Sequence, residues 1–110
     1  RRHTRFRNVT GVQTCALPIS NLPIDELCTL LKECRTWIGV DSFFQHLAWR
    51  EGKQGIVLWG PSDPLIFGHP ENINLLKSRD YLAPNQFLWW EQTEYKAERF
   101  VKPEEVLNCL

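Results

Sequence analysis

The chain has 110 residues, enough for one small domain. Charged residues make up 24% and hydrophobic residues 43%, ordinary globular values, and 13 basic side chains cancel 13 acidic ones, so nothing selects nucleic acid or an anionic membrane as partner. No apolar run approaches the roughly 20 residues that cross a bilayer.

The charge is unevenly spread. Residues 1–20 hold four arginines and no acid, so residues 21–110 keep nine basic against thirteen acidic side chains, a net charge of −4. The opening Arg1-Arg2-His3-Thr4-Arg5-Phe6-Arg7 has the composition of a basic arm, and Asn8-Val9-Thr10 fits a glycosylation sequon. The run from Val9 through Gly11, Cys15 and Pro18 to Ser20 is, however, similar to the in-frame translation of a common sequencing adapter, and Arg1 to Arg5 to its outer part. Residues 1–20 are therefore expected to be a non-native, disordered segment and are set aside. Residues 21–110 are expected to be a truncated domain from environmental reads. They hold three cysteines, Cys28, Cys34 and Cys109, a count and spacing that suit neither a disulfide framework nor zinc. Small buried apolar residues in a reducing cytoplasm are expected instead.

Asn21-Leu22-Pro23 opens a helix, with Asn21 as cap and Pro23 in the first turn. Leu27, Leu30, Leu31 and Cys34 repeat at three- and four-residue steps along one face. Residues 36–40, Thr-Trp-Ile-Gly-Val, read as a buried strand. Asp41-Ser42 caps a second helix from Phe43 to Arg50, with Phe43, Leu47 and Arg50 on one face, Phe44 and Ala48 beside them, and Gly52 at the end. Residues 55–59 read as a second buried strand and residues 60–64 as a loop. Strand, helix and strand over residues 36–59 make a βαβ unit with parallel strands. Residues 72–76 suit a third strand, and residues 81–92 an ordered aromatic loop. A last helix runs from Lys102 to Leu110, with Val106, Leu107 and Leu110 facing inward. The expected fold class is α/β, an incomplete Rossmann-like parallel sheet with flanking helices.

In open parallel sheets ligands bind beyond the carboxyl ends of the strands, where two loops of this chain lie. The first carries Asp41, Ser42, Phe43 and His46. A helix N-terminus there presents free backbone N–H groups to an anion. Ser42 and His46 add a hydroxyl and an imidazole, and Asp41 is placed to accept hydrogen bonds from sugar hydroxyls. The same residues also suit a plain helix cap and a packed core histidine. The second, weaker loop carries Gly60, Pro61, Ser62 and Asp63, where Asp63 suits an Asx turn.

Asp41-Ser42-x-x-x-His46-Leu47-Ala48, followed by Lys53-Gln54-Gly55, a strand and Trp59-Gly60-Pro61-Ser62-Asp63-Pro64, resembles the C-terminal half of glycosyltransferase family nine, the heptosyltransferase family. The Cys34-x-x-Trp37-Ile38-Gly39-Val40-Asp41 stretch fits too, and the resemblance covers Leu22 to Phe67 well. It implies the C-terminal part of a GT-B fold, metal-independent transfer, and a nucleotide-diphosphate sugar as donor substrate with no other cofactor. The Asp at position 41 would then contact donor sugar hydroxyls, and Ser42 and His46 the diphosphate. Phe43 departs from the family pattern, which has glycine there. The family's catalytic base belongs to an N-terminal domain outside this sequence, so no catalytic residue is assigned.

On this reading the full-length protein transfers a sugar to a cell-envelope or other surface glycan or glycolipid, as in lipopolysaccharide biosynthesis. It works in the cytoplasm or peripherally at the inner face of the cell membrane. The alternatives are a non-catalytic nucleotide-sugar or protein-binding module on the same scaffold, which Phe43 favours, and another GT-B enzyme such as a sugar epimerase. His69 and Glu71 are too few for a metal, so none is expected. Phe87, Trp89, Trp90, Tyr95 and Phe100 read as an aromatic cluster packing the loop onto the sheet.

Overall fold

The computed structural model describes residues 22–87 and 94–110. The adapter-like segment, Asn21, Trp89 and Trp90 lie outside them. The chain divides into two compact units, residues 1–35 and 36–110.

In the first unit, helix α1 spans Ile24–Glu33, with Asp25 and Glu26 at its positive end and Lys32 at its negative end. Pro23 is the N-cap residue, with extended backbone (φ −60°, ψ 153°), rather than a member of the first turn. Leu27 and Leu31 are buried, whereas Leu30, Cys28 and Cys34 are half-buried, so the expected apolar face is present but narrower. Cys28 and Cys34, like Cys109 in the second unit, are half-buried rather than packed in the core.

The second unit is built on three parallel strands in the order β1-β2-β3, with β1 at Ile38–Val40, β2 at Ile56–Trp59 and β3 at Ile73–Leu76. Ile38 pairs with Ile56, and Ile56 with Ile73. Helix α2, Phe43–Arg50, connects β1 to β2. A short helix α3, Pro64–Phe67, and a loop connect β2 to β3. The sequence pattern did not mark α3; Pro64 at its first turn and Asp63 as its cap supply the start. The last helix, α4, covers only Pro103–Leu107. Leu107 and Leu110, expected to face inward, are each 64% exposed, while Val106 and Cys109 are half-buried. A single short turn turns too little of its surface toward the sheet to bury three positions.

The core forms around β2, whose Ile56, Val57 and Trp59 are almost fully buried. Trp37, just before β1, packs across the strands. Its indole N–H donates to the Lys53 carbonyl (3.0 Å), and its ring meets Phe44 of α2 edge-on at 5.4 Å. Strand alternation then sends Gly39 to the Trp37 side and leaves Ile38 and Val40 on the other face, 47% and 50% exposed. The expectation of a fully buried first strand therefore holds for one face only. In α2 the buried stripe is Phe44, Gln45 and Ala48, and Phe43 is 60% exposed, so the face through Phe43 and Leu47 is not the packed one.

Helix α2 closes in a Schellman arrangement. Gly52 N–H donates to the Trp49 carbonyl and Lys53 N–H to the Ala48 carbonyl, both at 2.9 Å, with Gly52 left-handed at φ +72°. A Cβ added there meets nothing within 4 Å, so only backbone conformation opposes substitution. Gly52→Ala should cost about 1 kcal/mol and Gly52→Asn less, read from urea midpoints.

Candidate functional site

The first loop follows β1 and runs directly into α2. Ser42 is the N-cap residue, and its Oγ accepts from the Phe44 N–H at 3.3 Å. The hydroxyl proton of Ser42 is not used by that bond. Phe43 is the first helical residue, a backbone conformation open to any L-residue. The family glycine at this position is thus not demanded by φ; what Phe43 adds is an exposed ring beside the helix N-terminus.

Asp41 does more than end the strand. Its Oδ1 accepts from Gln45 Nε2 at 2.9 Å. Gln45 is fully buried, its Nε2 also reaches the Phe67 carbonyl at 3.5 Å, and its Oε1 has no partner among the described residues. Nothing local in the sequence marks Gln45, because a polar residue on a first helical turn carries no signal of burial.

His46 is exposed on the first complete turn of α2, four residues beyond Ser42, which places the two side chains on neighbouring positions of one face. It is not a packed core histidine. Its Nδ1 lies 2.8 Å from Nε2 of His69. The His69 ring stacks on Trp49 of α2, with centroids 4.5 Å apart and planes 7° from parallel. His69, weighed in the sequence only as a metal ligand, instead joins the loop site from 23 residues away. Among the described residues no group of three or more His, Cys, Asp or Glu side chains could hold a metal ion.

The second loop is a brace. Gly60, Ser62 and Asp63 are buried and Pro61 is half-buried. Asp63 caps α3 by accepting from the Leu65 N–H at 2.9 Å. Both of its oxygens bind Arg79, at 3.2 and 2.7 Å, which holds its carboxyl below the ordinary carboxylate range. Gln86 closes the loop from the other side. Its Oε1 accepts from Asp63 N–H at 2.7 Å, and its Nε2 donates to the carbonyls of Pro61 and Ala83, both at 2.9 Å. The Phe100 ring covers Gly60, where a Cβ would stand 2.7 Å from its edge. Of the expected aromatic cluster, Phe87 meets Phe67 edge-on and Tyr95 lies tilted against Phe100, although Phe87 and Tyr95 remain largely exposed.

A family model described as glycosyltransferase family 9 (heptosyltransferase) matches residues 3–104. The match is wider than the motif-bearing stretch and begins inside the first twenty residues. No curated protein and no solved structure matches the chain.

Proposed function

The chain belongs to glycosyltransferase family 9, and on that premise we propose that the loop of Asp41, Ser42, Phe43 and His46 is the donor site for a nucleotide-diphosphate sugar, with the diphosphate at the N-terminus of α2. Its three parallel strands and flanking helices have the architecture of part of a GT-B glycosyltransferase domain. The observation that carries the donor reading is the placement of His46: exposed, one turn beyond the Ser42 cap, with its Nδ1 engaged by His69. The helix N-terminus supplies partial positive charge and unsatisfied N–H groups to the same place. Asp41 retains a second carboxylate oxygen for sugar hydroxyls while its Oδ1 holds Gln45. The second loop supports this site as a brace, with Asp63 spent on α3 and Arg79. No helix among the described residues is long and apolar enough to cross a membrane. The acceptor in this reading is a cell-envelope or surface glycan, met by the full-length protein in the cytoplasm or at the inner membrane face.

His46→Ala should remove one charge-assisted hydrogen bond, worth about 1.5–3 kcal/mol, and so weaken nucleoside diphosphate binding roughly 10- to 150-fold with the fold intact. Phe43→Gly clears the exposed ring and should keep or strengthen that binding. Calorimetry on the full chain measures both, and unchanged affinity in both variants would reduce the loop to a helix cap. The second reading, a binding module without transfer chemistry, is favoured by the Phe43 ring, 60% exposed beside the helix N-terminus. It predicts that Phe43→Gly gains no affinity for nucleotide.

A further inference from the structure

Resting on the donor-site reading above, we infer that His69 is a positioning residue for His46, fixing its tautomer so that Nε2–H faces the donor diphosphate. His46 Nδ1 and His69 Nε2 are 2.8 Å apart, so one nitrogen donates and the other accepts. A neutral histidine ring intrinsically favours its proton on Nε2. Only one arrangement lets both rings keep that form. His69 Nε2–H donates to His46 Nδ1, and His46 carries its own proton on Nε2. The reverse arrangement places the His46 proton on Nδ1 and turns a lone pair on Nε2 toward the phosphate oxygens, which repel it.

His69 is itself held from three directions, as a positioning group must be. Trp49, three residues from His46 on α2, stacks on its ring at 4.5 Å. Its carbonyl accepts from Asn72 N–H at 3.0 Å and from Asn74 Nδ2 at 2.9 Å, and Asn74 Oδ1 in turn accepts the buried Trp59 indole N–H at 2.9 Å. The residue before it, Gly68, is packed so closely that a Cβ would stand 2.6 Å from the Pro64 carbonyl oxygen. The position of the ring is thus referred through β3 to the centre of the sheet. Hydrogen-bonded partners of this kind select the tautomer and orientation of a working histidine.

Imidazole nitrogen chemical shifts of the 15N-labelled full chain, recorded at pH 8, test the inference directly. The wild type should show His46 protonated on Nε2 and unprotonated on Nδ1. His69→Ala should give a mixture of tautomers, and His69→Gln, whose side-chain N–H can donate in place of the ring, should restore the Nε2–H form. In a titration with a nucleoside diphosphate, His69→Ala should bind about tenfold more weakly, and it should cause no further loss when His46 is already Ala. A wild-type His46 protonated on Nδ1, or a tautomer unmoved by His69→Ala, would overturn the positioning role whether or not nucleotide binds. The expected tautomers in a chain that binds no nucleoside diphosphate would uphold the coupling of the two rings and overturn the donor-site reading instead.

Discussion

Gly55→Ala should destabilise the protein by about 3 kcal/mol, measured as a lower urea midpoint with an unchanged slope. Trp37 immediately precedes β1 and Gly55 immediately precedes β2, so register brings them side by side, and Ile56 N–H donates to the Trp37 carbonyl at 2.9 Å. The indole lies flat across the Gly55 backbone: an added Cβ would stand 2.2–2.5 Å from three of its atoms. No rotation about a flexible end relieves this, because the ring is buried, edge-on to Phe44 and tied to the Lys53 carbonyl. Overpacking of this kind costs about 1–3 kcal/mol, and losing the indole hydrogen bond adds about 1 kcal/mol. Combining Gly55→Ala with Trp37→Leu should remove the clash, so the double variant should be more stable than the two single losses added together. Additive losses would show that the ring and the glycine do not interact.

Asp63→Ala should cost about 2 kcal/mol and flatten the acid limb of the stability profile. About 1 kcal/mol comes from the α3 cap. The remainder comes from the Arg79 pair, reduced because Arg79 is more than half exposed and water screens it. The sign with pH follows from the direction of the shift. Arg79 holds the folded Asp63 carboxyl below its ordinary value, so the folded state binds fewer protons than the unfolded chain. This stabilisation is complete above the unfolded value of about 3.9 and is lost as pH falls through the lowered folded value. Glu105, lowered by the Lys102 backbone N–H and by Lys77, contributes in the same direction, so some acid dependence should survive in the variant. Asp63→Asn keeps the cap acceptor and should lose only the ion-pair part. Urea midpoints at pH 7 and pH 3 separate the two. Equal midpoints for wild type and Asp63→Ala at pH 7 would show that the second loop is not the brace described above.

A structural role for Asp63 also explains why the two loops at the strand ends differ in character. The first presents an exposed imidazole and an exposed helix start; the second turns its polar groups inward to Arg79 and Gln86. Both have the composition of ligand loops. Composition does not distinguish a carboxylate that faces a ligand from one that faces an arginine sixteen residues away.

Local chemistry sufficed wherever a neighbour in sequence supplies the partner. Helix α2 was legible to its ends because Ser42 caps the Phe44 N–H two residues on and Gly52 closes the helix three residues after Trp49. The apolar run of β2 was legible because a central parallel strand is covered on both faces and needs no alternation. The family resemblance was legible from Asp41-Ser42 with His46 and from Gly60-Pro61 with Asp63, since those motifs are themselves short and local. Which residues pack, and which polar groups meet, was decided by tertiary structure. Ile38 and Val40 read as buried, yet strand alternation turns them away from the Trp37 side and they are 47% and 50% exposed. Gln45, a polar residue on the first turn of α2 that no local signal marks, is buried against Asp41. His69 reaches His46, Arg79 reaches Asp63 and Trp37 covers Gly55 across separations of 16 to 23 residues. Those pairings depend on the order and register of the strands, and local propensity and periodicity carry no term for either.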